Sequence, residues 1–275
     1  EGYARWDFLN GSRRIKAKKL RGIFSMGLLT PPPEDRSWAP GEEVSEKMGI
    51  TVYEAPEQYF NPTHPGNNQK SGADNERDPG FIPVYTDIES LRKFRTKFAA
   101  DEEVVATEKI HGANGRLLFR DGRLWCGSRT GIKKEDERSI WWNVGMQLFD
   151  KLQRIEDTIV YGEVYGQVQD LKYGVVKGVC FVAFDAMNSR TGEYLDHDQF
   201  TAHVRIAGIE TAPVLYRGPY SGLDDALAEG PTVLGNGSHT REGDVVKPVR
   251  ERWDPHLGRV IAKLVGEGYH LRKQK

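Results

Sequence analysis

Glu108-Lys109-Ile110-His111-Gly112-Ala113-Asn114-Gly115 is the stretch on which the reading of this chain turns. It holds a lysine between a short apolar run, Val104-Val105-Ala106, and a turn that two glycines permit. The apolar run predicts a strand that carries Lys109 inward. Gly112 and Gly115 let the backbone fold closely beside a ligand with no Cβ in the way. A free lysine amine is protonated at neutral pH, with a pKa of about 10.4, so it attacks phosphorus only where burial or nearby cations depress that value. A lysine nucleophile therefore needs helpers elsewhere in the chain.

Downstream stand, in order, Ser128-Arg129-Thr130-Gly131, Val160-Tyr161-Gly162-Glu163-Val164-Tyr165-Gly166, Phe181-Val182-Ala183-Phe184-Asp185, Glu242-Gly243-Asp244-Val245-Val246-Lys247-Pro248 and Ile261-Ala262-Lys263-Leu264-Val265. Together with the lysine segment this ordered set resembles the covalent nucleotidyltransferases, the superfamily of ATP-dependent DNA ligases, RNA ligases and messenger-RNA capping enzymes. The His after Lys-x and the Asn two places past the Gly look like the RNA ligases rather than the DNA ligases, which usually carry Lys-x-Asp-Gly. Taken singly, Glu163 and Glu242 also read as strand-end carboxylates, Phe184 as core and Lys263 as a lysine snorkelling from an apolar strand. As a set of six segments in one order they favour the functional reading.

Composition sets the outer bounds. The 275 residues, 38% hydrophobic and 29% charged, suit a globular chain with room for two domains. No apolar run approaches the ~20 residues that span a bilayer. Cys126 and Cys180 lie in apolar strand-like stretches without metal-ligand spacing, which predicts reduced, buried thiols. With no secretory-leader pattern at the start, a cytoplasmic location is expected, the host's cytoplasm for a viral protein. Phosphate-loop, Gly-x-Gly-x-x-Gly, His-Glu-x-x-His and Cys-x-x-Cys patterns are all missing, which argues against P-loop, Rossmann and zinc chemistry. Only His111 among the seven histidines has a chemically loaded context, and it reads as part of a hydrogen-bonded turn.

A net charge of −1 is unpromising for binding nucleic acid, but the charge is unevenly placed. Arg13, Arg14, Lys16 and Lys18 fall in one basic stretch with Ile15, Ala17 and Leu20 interleaved as in a strand, and the tail 270–275 is basic too. These four cations are the expected nucleic-acid contacts.

Three parts are expected: a β-rich module at 1–60, a polar linker at 61–80 and an α+β domain at 81–275. Strands are expected over Arg14 to Ala17 and Gly22 to Leu29, with a short helix over Glu42 to Gly49. In the larger part, Arg120-Asp121-Gly122 reads as the turn of a hairpin, and from this Lys109 and Arg129 are expected on neighbouring strands of one antiparallel sheet. The spacing of apolar residues predicts a helix over Ile140 to Ile155, and helices are also expected over Asp196 to Ile206 and Leu223 to Leu227.

The resemblance implies an α+β fold: an antiparallel-sheet, ATP-grasp-like adenylyltransferase domain behind a small OB-like module, expected here in truncated form, as in nick-sealing RNA ligases of bacteria and amoebae. Only 12 residues follow Lys263, which favours that branch over relatives with a C-terminal OB or helical domain. It further implies that Lys109 becomes the lysyl-AMP, that Lys247 and Lys263 contact the α-phosphate, and that Glu163 takes the ribose hydroxyl. Phe184 would stack on adenine, Arg129 would hold ribose or later a 5′-phosphate, and Glu242 would position a metal through water. Glu108, Ile110 and Asn114 complete the implied nucleotide site. Many relatives carry two lysines in the last segment, whereas here Ile261 and Ala262 precede Lys263, which enlarges the part expected of Lys247.

The implied activity is ATP-dependent RNA ligation of 5′-phosphate to 3′-hydroxyl ends, at nicks in RNA-containing duplexes, with Mg²⁺ or Mn²⁺ and as a monomer. The alternatives are a DNA ligase, a capping guanylyltransferase, or a catalytically silent nucleic-acid-binding relative. Substrate pathway and single-strand versus nick preference are not legible in the residues.

Overall fold

The computed structural model describes residues 75–271 continuously, with strands at 18–20 and 23–25 and scattered residues between 38 and 47. The chain divides into two compact units, Glu1–Ala55 and Pro56–Lys275. In the first, β1 (Lys18–Leu20) and β2 (Ile23–Ser25) form an antiparallel hairpin closed by the pair Leu20 and Ile23. The strand expected over Arg14 to Ala17, the basic residues Arg13, Arg14 and Lys16, and most of the expected helix near Glu42 lie outside the described residues.

The second unit is built on two sheets. In chain order its strands are β3 (Asn75–Glu76), β4 (Glu89–Ser90), β5 (Glu103–Glu108), β6 (Ala113–Arg120), β7 (Arg123–Ser128), β8 (Ile132–Lys133), β9 (Thr158–Gly166), β10 (Val179–Asn188), β11 (Val214–Pro219), β12 (Gly243–Pro248), β13 (Trp253–Asp254), β14 (Gly258–Arg259) and β15 (Ala262–Val265). One sheet runs β10-β9-β6-β7-β8-β3 and the other β11-β5-β12-β15-β4, with β13 and β14 as a separate hairpin. All these pairings are antiparallel except the short parallel contact of β15 with β4. The mixed α+β fold of mostly antiparallel strands is the one expected. β3 falls inside the stretch expected to be linker and pairs with β8, so the six-stranded sheet begins before Phe81.

Strand alternation sorts the side chains into layers. Along β6, Leu117 and Phe119 enter a core with Trp141, Trp142, Val144, Leu152 and Phe200, while Leu118 enters a second core between the sheets with Tyr85, Tyr161, Met187 and Ile261. Val104, Ala106, Val246, Ala262 and Leu264 pack on the far side of the five-stranded sheet.

After the short helix α1 (Leu91–Phe94), the expected helix over Ile140 to Ile155 is two helices, α2 (Ile140–Gln147) and α3 (Phe149–Gln153), because Leu148 leaves helical geometry at φ −105°, ψ 6°. Its expected apolar face is nonetheless buried at Trp141, Val144, Leu152 and Ile155. Gly145 permits the close approach of α2 to β7, since a Cβ there would lie 2.3 Å from Cys126 Sγ. The helix α4 (His197–Ala207) has the expected bounds within a residue, capped by Asp196 and Gln199 and ended by Gly208 at φ 74°. Leu223 to Leu227 is instead mainly a 3₁₀ turn over Asp225–Ala228, where Asp224 accepts from the Ala226 N–H.

Candidate active site

A cavity of about 360 Å³ has walls drawn from both sheets and from residues 85–88. Of the expected site residues it brings together Lys109, Glu108, Ile110, Asn114, Arg129, Glu163, Phe184, Lys247 and Lys263. The expected placement of Lys109 and Arg129 on neighbouring strands is corrected. Lys109 follows β5 in the five-stranded sheet and Arg129 follows β7 in the six-stranded one. Residues 109–112 carry the chain from one sheet to the other. Gly112 is needed there, because a Cβ would sit 2.2 Å from the Val164 carbonyl oxygen.

Lys109 is fixed at both ends. Its N–H donates to the Gly243 carbonyl at 2.9 Å, and its Nζ lies 2.7 Å from Glu242 Oε1. Glu242, at the entry to β12, keeps its other oxygen buried without a hydrogen-bond partner, 3.7 Å from His111 Nδ1. Burial pushes the Glu242 carboxyl up, but His111 and Lys109 outweigh it and hold it below the usual glutamate range. His111 is a hub of the turn. Its N–H donates to Tyr173 Oη at 2.6 Å, its Nε2 lies 2.7 Å from Asp170, and its Nδ1 lies 2.8 Å from the hydroxyl of Tyr269 on α5 (Glu267–Leu271).

Asn114 and Glu163 face each other across β6 and β9. Asn114 Oδ1 is a buried acceptor with no hydrogen-bond partner among the described residues. Burial pushes the Glu163 carboxyl up to about 8, with Lys109 opposing the rise and Glu242 adding to it. On the other sheet Thr107, Val245 and Lys263 form a row across three strands. Lys263 has no ion-pair partner among the described residues, and burial, with Lys109 and Arg129 nearby, pushes its amine below the usual lysine range. Phe184 sits where the register of β10 shifts between Ala183 and Asp185, and its ring lies 4.9 Å from that of Tyr85.

Two expected contacts take other partners. Lys247 lines the cavity and is buried, with its ammonium held by Asp185 at 2.9 Å and Glu251 at 3.1 Å in a charge cluster of the cavity wall. Arg259 and the Tyr85 hydroxyl complete that cluster on Asp185. Glu108 turns away from the cavity-facing row. Its carboxylate accepts from Thr232 Oγ1 at 2.5 Å and from the N–H groups of Val233 and Leu234, so the side chain anchors the 232–234 loop. Arg129 is exposed at the cavity and pairs with Asp87. The sequence reading missed Tyr85, Asp87, Asp170, Tyr269 and the Asp185 cluster. Residues 85–88 carry no periodic pattern, and the cluster joins residues up to 100 positions apart.

The RNA ligase family model matches residues 102–265, and the chain belongs to that family. Its fold is similar to solved structures of an RNA ligase from Naegleria gruberi. A ligand-free mutant form of that enzyme is 21% identical, with a TM-score of 0.64 over 94% of this chain and 76% of its own. The form solved with PPi is 22% identical, with a TM-score of 0.63 over 95% and 77%. A mutant form solved with AMP and Mn is 21% identical, with a TM-score of 0.63 over the same shares. No curated protein matches the chain significantly.

Proposed function

We propose that this chain is an ATP-dependent RNA ligase that forms a lysyl-AMP on Lys109, passes the AMP to a 5′-phosphate, and joins that end to a 3′-hydroxyl with release of AMP. The observation that carries this reading is Lys109 Nζ held 2.7 Å from Glu242 in a cavity that also holds Lys263, Glu163 and Phe184. In the first step the Lys109 nitrogen bonds to the α-phosphorus of ATP, the bond to pyrophosphate breaks, and the amine proton is lost. The cavity supplies what that step needs. Lys263, with no carboxylate partner among the described residues, would meet the phosphates, Glu163 would take the ribose hydroxyl, and Phe184 would offer a ring to the base. Arg129 takes the ribose or, later, the 5′-phosphate.

Mutant forms of the Naegleria enzyme solved with Mn support a divalent ion as part of the reaction. The residues present fit one: Glu242 Oε2 and Asn114 Oδ1 are buried oxygen donors without hydrogen-bond partners, the ligand type that hard cations take. The described residues hold no group of three acidic, His or Cys side chains for direct ligation, which favours Glu242 acting through water. Such an ion, when bound, offsets charge on the phosphates.

The sealing of nicks in RNA-containing duplexes, with the basic N-terminal segment on the backbone, is part of the same proposal, as is action as a monomer. Incubation with labelled ATP tests the first step. A covalent adduct that Lys109→Ala abolishes is expected, while the variant still seals a pre-adenylylated strand. Labelling from GTP in preference to ATP would favour a capping-type enzyme, and no adduct with either would leave only a binding module.

A further inference from the structure

Arg116 is a charged residue in the domain interior that the expected chemistry does not use. It stands on β6 two residues beyond Asn114, about 7 Å along the strand and on the same face, toward the layer between the sheets. Only 1% of it is exposed. Among the described residues no carboxylate lies within ion-pair distance of it. Asp78 acts on it only from beyond that distance; a buried cation with no counter-ion in contact is costly, and an apolar side chain of similar volume would fill such a place at less cost. What the guanidinium does have is two short bonds to backbone oxygens. Nε donates to the Ser128 carbonyl at 2.7 Å and Nη1 to the Ile82 carbonyl at 2.6 Å, while Nη2 is buried with no partner.

Both acceptors belong to segments that shape the cavity. Ser128 opens the turn that carries Arg129, and that turn is closed by the Ser128 N–H on the Gly131 carbonyl at 2.9 Å and by the N–H groups of Thr130 and Gly131 on Ser128 Oγ. Ile82 leads into residues 85–88, which form one wall and supply Asp87, the partner of Arg129. The rigid planar fork of one guanidinium thus ties the base of the Arg129 turn to the base of the Asp87 segment. A lysine, with a single nitrogen, cannot reproduce two bonds in that fixed geometry.

We propose that Arg116 is a positioning residue for the ligation reaction, fixing the Arg129 turn and the Asp87 wall from beneath and acting on catalysis through Arg129. This rests on the reading of Arg129 as a ligand-binding residue given above.

The test is a double-mutant cycle on ATP-driven sealing of a nicked RNA duplex, read as kcat/KM, with the melting temperature of each protein measured alongside. Arg129→Ala is expected to lower kcat/KM about tenfold or more, and Arg116→Lys to lower it to within about threefold of that value. Adding Arg116→Lys to Arg129→Ala should then change the rate by less than about twofold, although it lowers the melting temperature in both backgrounds. A purely structural Arg116 would slow both backgrounds by the same factor, and that result overturns the inference, as does a parental rate in Arg116→Lys. Arg116→Gln, which keeps a donor without the charge, is the second variant if the lysine form fails to fold, and the same outcomes apply. A silent Arg129→Ala would instead overturn the ligand role of Arg129, which separates failure of that reading from failure of this one.

Discussion

Replacing Asp185 by Asn tests whether the charge cluster in the cavity wall is as tightly compensated as it stands. Asp185 and Arg259 are fully buried, Lys247 nearly so, and Glu251 is 12% exposed. Two cations therefore face two carboxylates, and Asp185 alone takes bonds from Tyr85, Lys247 and Arg259. D185N keeps the shape but leaves one buried positive charge uncompensated. Removing one partner of a buried pair costs about 3–5 kcal/mol. For a domain of this size each kcal/mol shifts the melting temperature by about 2–4 °C, so D185N should melt about 6–20 °C below the parent at pH 7. The pH dependence has a definite sign. Burial raises the Asp185 carboxyl, but Arg259 and Lys247 outweigh it and hold it below the usual aspartate range. Its stabilising contribution is therefore present above the unfolded-state pKa of about 3.9 and is lost as the pH falls through the lower folded value. Thermal unfolding followed by circular dichroism at pH 7 and in acid should show the gap between D185N and parent closing in acid. A D185N protein that melts within about 2 °C of the parent at pH 7 would refute the reasoning, because Glu251 would then be neutralising both cations by itself.

Glu242→Ala should slow lysyl-AMP formation by about 100-fold or more with the fold retained by circular dichroism, and excess chelator should stop the parent enzyme; full activity in chelator would exclude the divalent ion. Glu163→Gln should raise the melting temperature at pH 8, with the gain shrinking toward pH 5. A carboxyl raised to about 8 in the folded protein loses stability as the pH climbs from its unfolded value, and the amide does not titrate; an equal offset at both pH values would contradict that. A fragment starting at Pro56, which keeps β3, should still form lysyl-AMP but seal nicks poorly, and neutralising Arg13, Arg14, Lys16 and Lys18 in the full chain should flatten the salt dependence of duplex binding. Adenylylation and sealing lost together in the fragment would make the first unit structural.

The sequence alone determined the features that depend on neighbouring residues. The strand leading into Lys109, the Arg120-Asp121-Gly122 hairpin and the helix over Asp196 to Ile206 all follow from side-chain period and local backbone preference, and each is present. The order of the six segments likewise sufficed to point to a lysine-centred pocket. Only the tertiary structure decided which sheet each part joins and which partner each charge takes. Residues 109–112 cross between sheets where local reading expects neighbouring strands, because a single glycine fits against the Val164 carbonyl. Lys247 and Glu108 line the cavity as read, but only the packed fold shows that the ammonium is held by Asp185 and Glu251 and the carboxylate by the 232–234 loop. Glu251 is only four residues from Lys247, but Asp185 and the 232–234 loop stand about 60 and 125 positions from the charges they hold, and a buried charge takes whichever counter-group the packed fold brings within hydrogen-bond reach, at a cost if it finds none. Period and propensity carry no record of that distance.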